Sequence, residues 1–416
     1  MNPSLPSPLR STGFRWLLLY RMCTLLSYQI VAVTVGWHIY EVTHNTLSLG
    51  LVGLAEVIPY FCVAPFSGYL VDHLPRRKMG AAACTLLAIN AGVLALVAGN
   101  MALHTQGTWP IYLAVAVGGI GRSVLGPVYN ALFARVLQRE QFATGASIGS
   151  VIFQAGLVLG PALGGVLVGG VGKSISYAVG TGFALVAAAT LLAMPVSESA
   201  MKQQRGPIFA SIAEGARFVA GNQIMLGAMA LDMFSVLLGG AVSMLPAFIK
   251  DILHQGPEAL GLLRSAPAVG SIVIALWLTR HPLQRHAGRV LLLSVAAFGV
   301  CTIAFALSRN LWLSAAILLA YGACDGVSVV LRSTIMQLVT PDEMRGRVSS
   351  INGIFVSSSN ELGAFYDGVM ARLLGLDPAI IVGGCVTLGV VASTAKLAPR
   401  LRKLDIRELQ SCKTPP

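Results

Sequence analysis

Charged residues are scarce in this chain of 416 residues. Aspartate, glutamate, lysine and arginine together make up 11% of it, whereas hydrophobic residues make up 55%. A soluble globular protein ordinarily carries about 25% charged residues. Apolar stretches of about 20 residues, enough to cross a bilayer, recur along the whole chain. The composition therefore excludes an ordinary soluble domain and predicts an all-α polytopic membrane protein.

Patterns for metal binding, nucleotide binding and catalysis are also missing from the sequence. The seven cysteines form no Cys-x-x-Cys pair and the histidines show no ligand spacing, so neither a disulfide framework nor a zinc site is predicted. No Gly-x-x-x-x-Gly-Lys-Ser/Thr loop occurs, which argues against transport driven by ATP. We therefore expect a protein that is not an enzyme and uses no cofactor or metal.

Twelve apolar segments are predicted to cross the membrane, and a polar stretch divides six from six. The predicted spans are 14–40, 46–71, 79–99, 110–133, 144–170, 174–194, 224–249, 259–279, 289–307, 311–335, 347–371 and 378–396. The predicted organisation is a cytoplasmic N-terminal tail (1–13), a six-helix bundle (14–194), a cytoplasmic linker with an interfacial helix (195–223), a second six-helix bundle (224–396) and a cytoplasmic C-terminal tail (397–416).

Lysine and arginine are concentrated in alternate connections between these spans. One set contains Arg76 and Arg77, for example, whereas the connections 41–45 and 100–109 contain neither residue type. The positive-inside rule then places both termini in the cytoplasm, with the chain passing repeatedly through the membrane. The net charge of +12 is thus a signal of topology and does not indicate nucleic-acid binding. The polar, proline-rich opening predicts no cleavable signal peptide.

The two halves carry a weak internal repeat. Residues 135–140, followed by Ser147 and Phe153, match residues 337–342, followed by Ser349 and Phe355, at a constant offset of 202. Repeated six-helix units are typical of transporters, whose substrate site lies near the midplane between the units. The repeat therefore predicts two pseudo-symmetric six-helix bundles.

An acidic and basic turn connects the second and third spans. In this turn Gly68 allows close helix approach, Asp72 can accept hydrogen bonds from a facing helix end, and Arg76 and Arg77 hold the cytoplasmic boundary. Such a set predicts a conformational gate that does not itself bind substrate. A merely basic loop that follows the positive-inside rule is the alternative.

Small residues line one face of the fifth span. Gly156, Gly160 and Gly164 recur at a spacing of four, Gly165 extends the run, and Pro161 frees a backbone carbonyl and bends the helix. This face predicts a helix-packing motif against which the other half presses. Ordinary small-residue packing is the alternative.

Eight of the charged residues inside the predicted spans are singled out as candidates. They are Arg21, Glu56, Arg122, Asp232, Asp325, Arg332, Glu361 and Asp367. A charge at bilayer depth costs several kcal/mol unless it faces a cavity or a partner, so each is a candidate functional residue. Asp325 and Arg332, seven residues apart, share a helical face. Structural ion pairs that lock the halves together are the alternative for any one of them.

These residue types indicate a division of roles. The candidates for a proton relay are the carboxyl groups of Asp232, Asp325 and Glu56, with Asp232 preferred, because a carboxyl removed from water can exchange a proton near neutral pH. The candidates for contacting cargo in the cavity are Arg21, Arg122, Arg332, Gln29 and Tyr129. The arginines are permanently charged and could attract an anionic cargo. Packing remains the alternative for Gln29 and Tyr129, and a cytoplasmic gate for Arg332 and Asp367.

Several of these motifs resemble those of the major facilitator superfamily. Residues 68–78 resemble its loop signature, with departures at His73 and Pro75, and residues 156–165 resemble the fifth-helix motif of its exporters. Residues 232–241, 256–270 and 340–348 look like the bacterial branch that contains the enterobactin exporter. The resemblance implies alternating access, a cavity lined by spans one, four, seven and ten, and proton-coupled export of a siderophore or similar small amphipathic metabolite.

Other functions remain open at this point. A broad-specificity drug efflux pump would have the same fold, although several cavity arginines argue mildly against it. A lipid flippase or a transporter-like sensor is the remaining class, but only 20 residues follow Lys396, which is short for a signalling domain. The expected partners are a small-molecule substrate, protons and the lipid bilayer, with no nucleic acid and no obligatory protein partner.

Overall fold

The computed structural model describes residues 7–99, 107–196, 208–240, 242–281, 285–341 and 344–405. Across these ranges the chain is almost wholly helical and contains no β-strand. The first six helices are α1 (Thr12–Thr43), α2 (Thr46–His73), α3 (Arg76–Gly99), α4 (Trp109–Val136), α5 (Phe142–Val171) and α6 (Lys173–Ala193).

The second group of helices begins after the linker. It comprises α7 (Ile208–Gly221), α8 (Gln223–Gly239), the single turn α9 (Leu245–Ala247), α10 (Pro257–Arg280), α11 (Ala287–Leu307), α12 (Leu311–Val339), α13 (Arg345–Leu374), α14 (Leu376–Leu397) and the short α15 (Pro399–Arg402). Of the predicted linker, residues 197–207 lie outside the described ranges, and the amphipathic α7 packs against α8 and α13.

Eleven helical segments among the described residues are long and apolar enough to cross a membrane. The predicted eleventh span corresponds to α13, which has 30 residues but contains Asn360, Glu361 and Asp367 and is therefore more polar than the others. The prediction of an all-α polytopic membrane fold is confirmed, with a helix count close to the twelve expected.

Capping residues and glycines set several helix ends. The side chains of Asn222 and Asn310 accept backbone hydrogen bonds at 2.9–3.2 Å and so begin α8 and α12. Gly172 separates α5 from α6 with φ of +86°, and Gly375 separates α13 from α14 with φ of +91°. Residues with side chains rarely adopt these angles. The two glycines occupy equivalent places in the two halves, which agrees with the repeat seen in the sequence.

Two compact units share one packing plan. In the first unit α1 packs against α4, α5 and α6, while α3 packs against α4 and α6. In the second unit α8 packs against α12, α13 and α14, while α11 packs against α12 and α14. Each helix of the first set thus has a counterpart with the same neighbours in the second, as expected for pseudo-symmetric six-helix bundles.

Two helices divide their length between the units. Residues 45–53, which begin α2, belong to the second unit, and residues 255–265, which begin α10, belong to the first. Glycine allows the beginning of α2 to pack closely against α13, because a Cβ added to Gly50 would lie only 3.2 Å from the Cα of Gly368. The units therefore differ in these two segments from the halves 14–194 and 224–396 delimited by sequence.

Candidate functional site

A buried ion pair lies at the centre of the second unit. Asp232 on α8 pairs its carboxylate with the guanidinium of Arg332 on α12, and their side chains are 11% and 7% exposed. Asp232 was the preferred proton carrier from sequence, and Arg332 was a cavity or gate candidate. The structure places these two together, so each neutralises the other's charge.

Asp325 lies beside this pair without joining it. It is two turns before Arg332 on α12 and interacts electrostatically with both Asp232 and Arg332. Within the described part of the chain, Asp325 forms no hydrogen bond and no ion pair. Of the three adjacent charged groups, Asp325 is therefore the carboxyl left available.

A small cavity connects these residues. It is lined by Asp232, Ser235 and Val236 of α8, Val295 and Phe298 of α11, and Cys324, Asp325 and Ser328 of α12. Its volume is about 10 Å³, close to the space that one water molecule needs. Sites for drug-sized ligands measure about 300–1,000 Å³. The cavity can therefore hold a water molecule or a small ion but is too small for a drug-sized ligand.

Three of the lining polar residues were missed by sequence reasoning. Ser235 is three residues after Asp232, and Ser328 is three residues after Asp325. This spacing places each hydroxyl on the same helical face as its carboxylate, and could have identified both. Cys324 is one of the seven cysteines that form no Cys-x-x-Cys pair, and its thiol lies within hydrogen-bonding reach of Cys301 on α11.

A second ion pair lies in the first unit. Arg122 on α4 pairs with Glu56 on α2, and its guanidinium also donates to the Tyr28 hydroxyl. The same guanidinium lies 4.5 Å from the ring centroid of Tyr28 and 5.6 Å from that of Tyr60. Glu56, a proton-relay candidate, is thus already bound to an arginine.

Arg21 is held by aromatic rings. Its guanidinium carbon lies 4.0 Å from the ring centroid of Tyr129 on α4 and 5.1 Å from that of Phe153 on α5. A cation over an aromatic face at such distances is attracted by the ring quadrupole. Arg21 and Tyr129, both predicted from sequence to contact cargo, therefore lie together in the first unit.

The glycine face of α5 packs against α1 of its own unit. A Cβ added to Gly156, Gly160 or Gly164 would lie 2.5–3.0 Å from the side chains of Leu25, Gln29 and Val33, respectively. The expectation that this whole face meets the other half is therefore wrong, because three of its glycines pack on α1. Gln29, a cargo candidate, lies against Gly160.

Gly165 approaches a different helix. A Cβ added there would lie 2.4 Å from the backbone nitrogen of Gly261 on α10, in the segment that belongs to the first unit. Pro161 lies at the same crossing, because its carbonyl oxygen is 2.9 Å from a Cβ added to Gly261. This end of the motif brings two helix backbones together.

The predicted gate is partly described. Gly68 and Asp72 belong to the last two turns of α2, but their side-chain surroundings lie outside what the structure describes. Arg76 donates from Nε to the carbonyl of Val71 at 3.3 Å. Arg77 donates to the carbonyls of Leu191 at 2.9 Å and Val196 at 3.3 Å, and also to that of Leu192. Arg77 therefore satisfies free carbonyls at the end of α6.

Replacing Arg77 with alanine is expected to lower the melting temperature of the purified protein. Two carbonyls at the C-terminus of α6 and that of Val196 just beyond it lose a charged donor, and hydrogen bonds to charged groups contribute about 1.5–3 kcal/mol each. Thermal unfolding in detergent measures the effect, and Lys78→Ala is the matched control because Lys78 is adjacent and exposed. Equal melting temperatures for the two variants would refute this capping role.

Asp367 does not lie where a cytoplasmic gate was expected. Its carboxylate accepts a hydrogen bond of 2.6 Å from the Ser243 hydroxyl, which lies in the short 3-10 turn after α8. Asp367 is near the C-terminal end of α13, and the loop predicted to be cytoplasmic precedes the N-terminal end of that helix. The assignment of Asp367 to a cytoplasmic gate is therefore wrong, because α13 carries it to the opposite end of the span.

Comparison with known proteins agrees with this architecture. Residues 4–416 match the model of the family described as transmembrane secretion effector. The enterobactin exporter EntS of Salmonella typhi is 27% identical over 372 residues, which cover 87% of this chain and 85% of the relative. The enterobactin exporter of Citrobacter koseri is 26% identical over 369 residues, covering 87% and 84% of the two chains.

Solved structures show the same fold at low sequence identity. A bacterial homologue of the human lysosomal transporter Spinster, inward-facing and unoccupied, superposes with a TM-score of 0.74 at 15% identity, covering 99% of this chain and 100% of the other. A variant of the nucleoside transporter NupG gives 0.73 at 14% identity, covering 92% and 99%. The family model matches nearly every residue, and the repeated packing plan of charged helices is consistent with that match. This chain therefore belongs to the transmembrane secretion effector family of the major facilitator superfamily, and it is a transporter and not an enzyme.

Proposed function

We propose that this transporter is a proton-coupled exporter, an antiporter that works by alternating access and moves a siderophore or a similar small amphipathic metabolite. The observation that carries the coupling is the unpaired carboxyl of Asp325 beside the buried Asp232–Arg332 pair. Asp325 can bind a proton, which neutralises its carboxylate. The electrostatic attraction between Asp325 and Arg332 is then lost, and the position of Arg332 can change. Asp232 and Arg332 are in this proposal the partner pair, and Asp325 carries the proton.

The cargo is proposed to bind at the arginine sites of the first unit. Arg21 rests on Tyr129 and Phe153, and Arg122 rests on Tyr28. Arginines presented among aromatic rings suit an anionic ligand with aromatic groups, because the guanidinium supplies charge and the rings supply stacking surface. A drug pump for cationic compounds would be expected to present acidic residues instead. The curated relatives, named as exporters of enterobactin, support outward transport.

The orientation in the membrane is part of the same proposal. We place the chain in the bacterial inner membrane with both termini cytoplasmic, because the basic connections alternate with nearly uncharged ones. Arg76 and Arg77 then lie at the cytoplasmic side, next to the end of α2 that contains Asp72. Gly68 and Asp72 are proposed to act as the gate at that side.

The cargo is tested by untargeted mass spectrometry of iron-starved culture medium. The source bacterium is compared with a deletion strain and with that strain carrying either the intact gene or its Asp325→Asn variant. An iron-chelating metabolite should disappear from the medium of the deletion strain, accumulate in its cells and return only with the intact gene. Identical media from all four strains would contradict siderophore export and favour drug or lipid export.

A further inference from the structure

The small cavity of the second unit is lined by oxygen atoms from two helices. Asp232 and Ser235 face it from α8, and Asp325 and Ser328 face it from α12. The hydroxyl of Ser235 is buried and has no hydrogen-bond partner in the described structure. A buried hydroxyl without a partner is costly unless something else satisfies it. This unpartnered hydroxyl therefore marks the cavity as a place where one small molecule or ion can bind.

Charge and volume define that ligand. Asp232, Asp325 and Arg332 together carry a charge of −1 when both carboxyl groups are ionised. One monovalent cation would neutralise the site, whereas a divalent ion would leave it positive. The volume of about 10 Å³ admits one particle about the size of a water molecule. Carboxylate and hydroxyl oxygens are hard ligands, which suit cations such as Na⁺ better than soft metals.

We propose that this cavity binds one Na⁺ ion, held by Asp325, Ser235 and Ser328 next to the Asp232–Arg332 pair. Asp325 is also the residue to which the proposed function assigns the proton. The cavity walls further include the apolar side chains of Val236, Val295 and Phe298.

Asp325 supplies the negative charge that would attract a cation to the cavity. The other titratable or charged groups around the cavity are Asp232 on α8, Cys301 on α11, Cys324, Tyr321 and Arg332 on α12, and Asp367 on α13 near Tyr321. Among these groups Asp325 is the carboxyl that lies in the cavity without an ion-pair or hydrogen-bond partner.

Binding is measured on the intact, purified protein by equilibrium dialysis with ²²Na⁺ at alkaline pH, with choline chloride holding the ionic strength. We expect saturable binding of one ion per chain, lost in Asp325→Asn and weakened about tenfold or more in Ser235→Ala. Ser294→Ala is the matched control, since this buried hydroxyl of α11 donates to the Leu291 carbonyl at 2.8 Å and does not line the cavity.

Two results would overturn this inference. One is Na⁺ binding no greater than that of a protein-free sample, and the other is binding that both Asp325→Asn and Ser235→Ala leave unchanged. The Na⁺ site rests on the proposed function only where it is given a role in coupling transport to an ion gradient. The Na⁺ site and proton-coupled export can therefore be refuted independently. Export driven by a pH gradient in sodium-free buffer, without Na⁺ binding, would refute the sodium site alone. Specific Na⁺ binding without pH-driven export would refute proton coupling alone.

Discussion

Asp325→Asn is expected to reduce pH-driven export to the level of vesicles without the transporter, while the amount of protein in the membrane stays the same. The amide keeps the size of the side chain but can no longer exchange a proton. Because Asp325 has no ion pair in the structure, its neutralisation leaves no buried partner charge exposed. Folding should therefore be preserved, with a melting temperature close to that of the wild type.

The neighbouring variant Asp232→Asn should behave differently. It removes the partner of Arg332, and breaking a buried ion pair costs about 3–5 kcal/mol of unfolding free energy. We therefore expect a clear fall in melting temperature together with loss of export. This contrast separates the residue that carries the proton from the residue that holds Arg332.

Reconstituted vesicles with an imposed pH gradient provide the measurement, with the exported compound as the readout. Asp377→Asn is the control, because Asp377 pairs with Arg309 and does not line the cavity. It removes one negative charge from the same unit and should leave export intact. Full pH-driven export by Asp325→Asn would remove Asp325 from the coupling mechanism and return the role to Asp232.

Gly165→Leu is expected to prevent stable folding of the first unit. A Cβ at this position would lie 2.4 Å from the backbone nitrogen and 2.5 Å from the Cα of Gly261. Backbone atoms cannot move aside as a flexible side chain can, so α10 would have to shift away from α5. Overpacking of a tight site costs about 1–3 kcal/mol of stability. The cost of a leucine that contacts rigid backbone atoms is expected to reach or exceed the upper end of this range.

The matched control lies five residues along the same helix. A Cβ added to Gly170 meets nothing within 4 Å, so Gly170→Leu makes the same chemical change without the collision. Both variants gain helix propensity, by roughly 1 kcal/mol. Size-exclusion chromatography and thermal unfolding in detergent should show an aggregated or strongly destabilised Gly165→Leu and a monodisperse Gly170→Leu. Equal stability of the two would contradict the close helix crossing.

The spans and the in-span charges could be predicted from sequence because each depends on local pattern. A run of apolar residues crosses a bilayer whatever its neighbours are, so the spans were found with boundaries close to those of the helices. The span that corresponds to α13 was also predicted, although its residues are comparatively polar. Asp325 and Arg332 were placed on one face by their spacing of seven residues.

The partners of those charges could not be predicted, because pairing depends on how helices rotate and cross. Asp232 pairs with Arg332 and Glu56 with Arg122, and in each case the two residues are far apart in sequence. Nothing in the sequence of α8 indicates that Arg332 lies opposite it. Asp325 was ranked below Asp232 as a proton carrier from sequence, and the structure distinguishes it because it has no ion-pair partner among the described residues.

The sequence by itself determined the class of this protein: an all-α transporter of two repeated six-helix units, because hydropathy, repetition and loop charge are properties of the chain alone. Only the tertiary structure decided which glycines bring backbones together and which carboxyl remains free. It also showed that Arg77 donates hydrogen bonds to carbonyls at the end of α6, and that a cavity about the size of one water molecule lies beside Asp325. These features depend on atoms of distant chain segments that lie within a few ångströms of each other in the fold. A pattern along the sequence does not specify such distances.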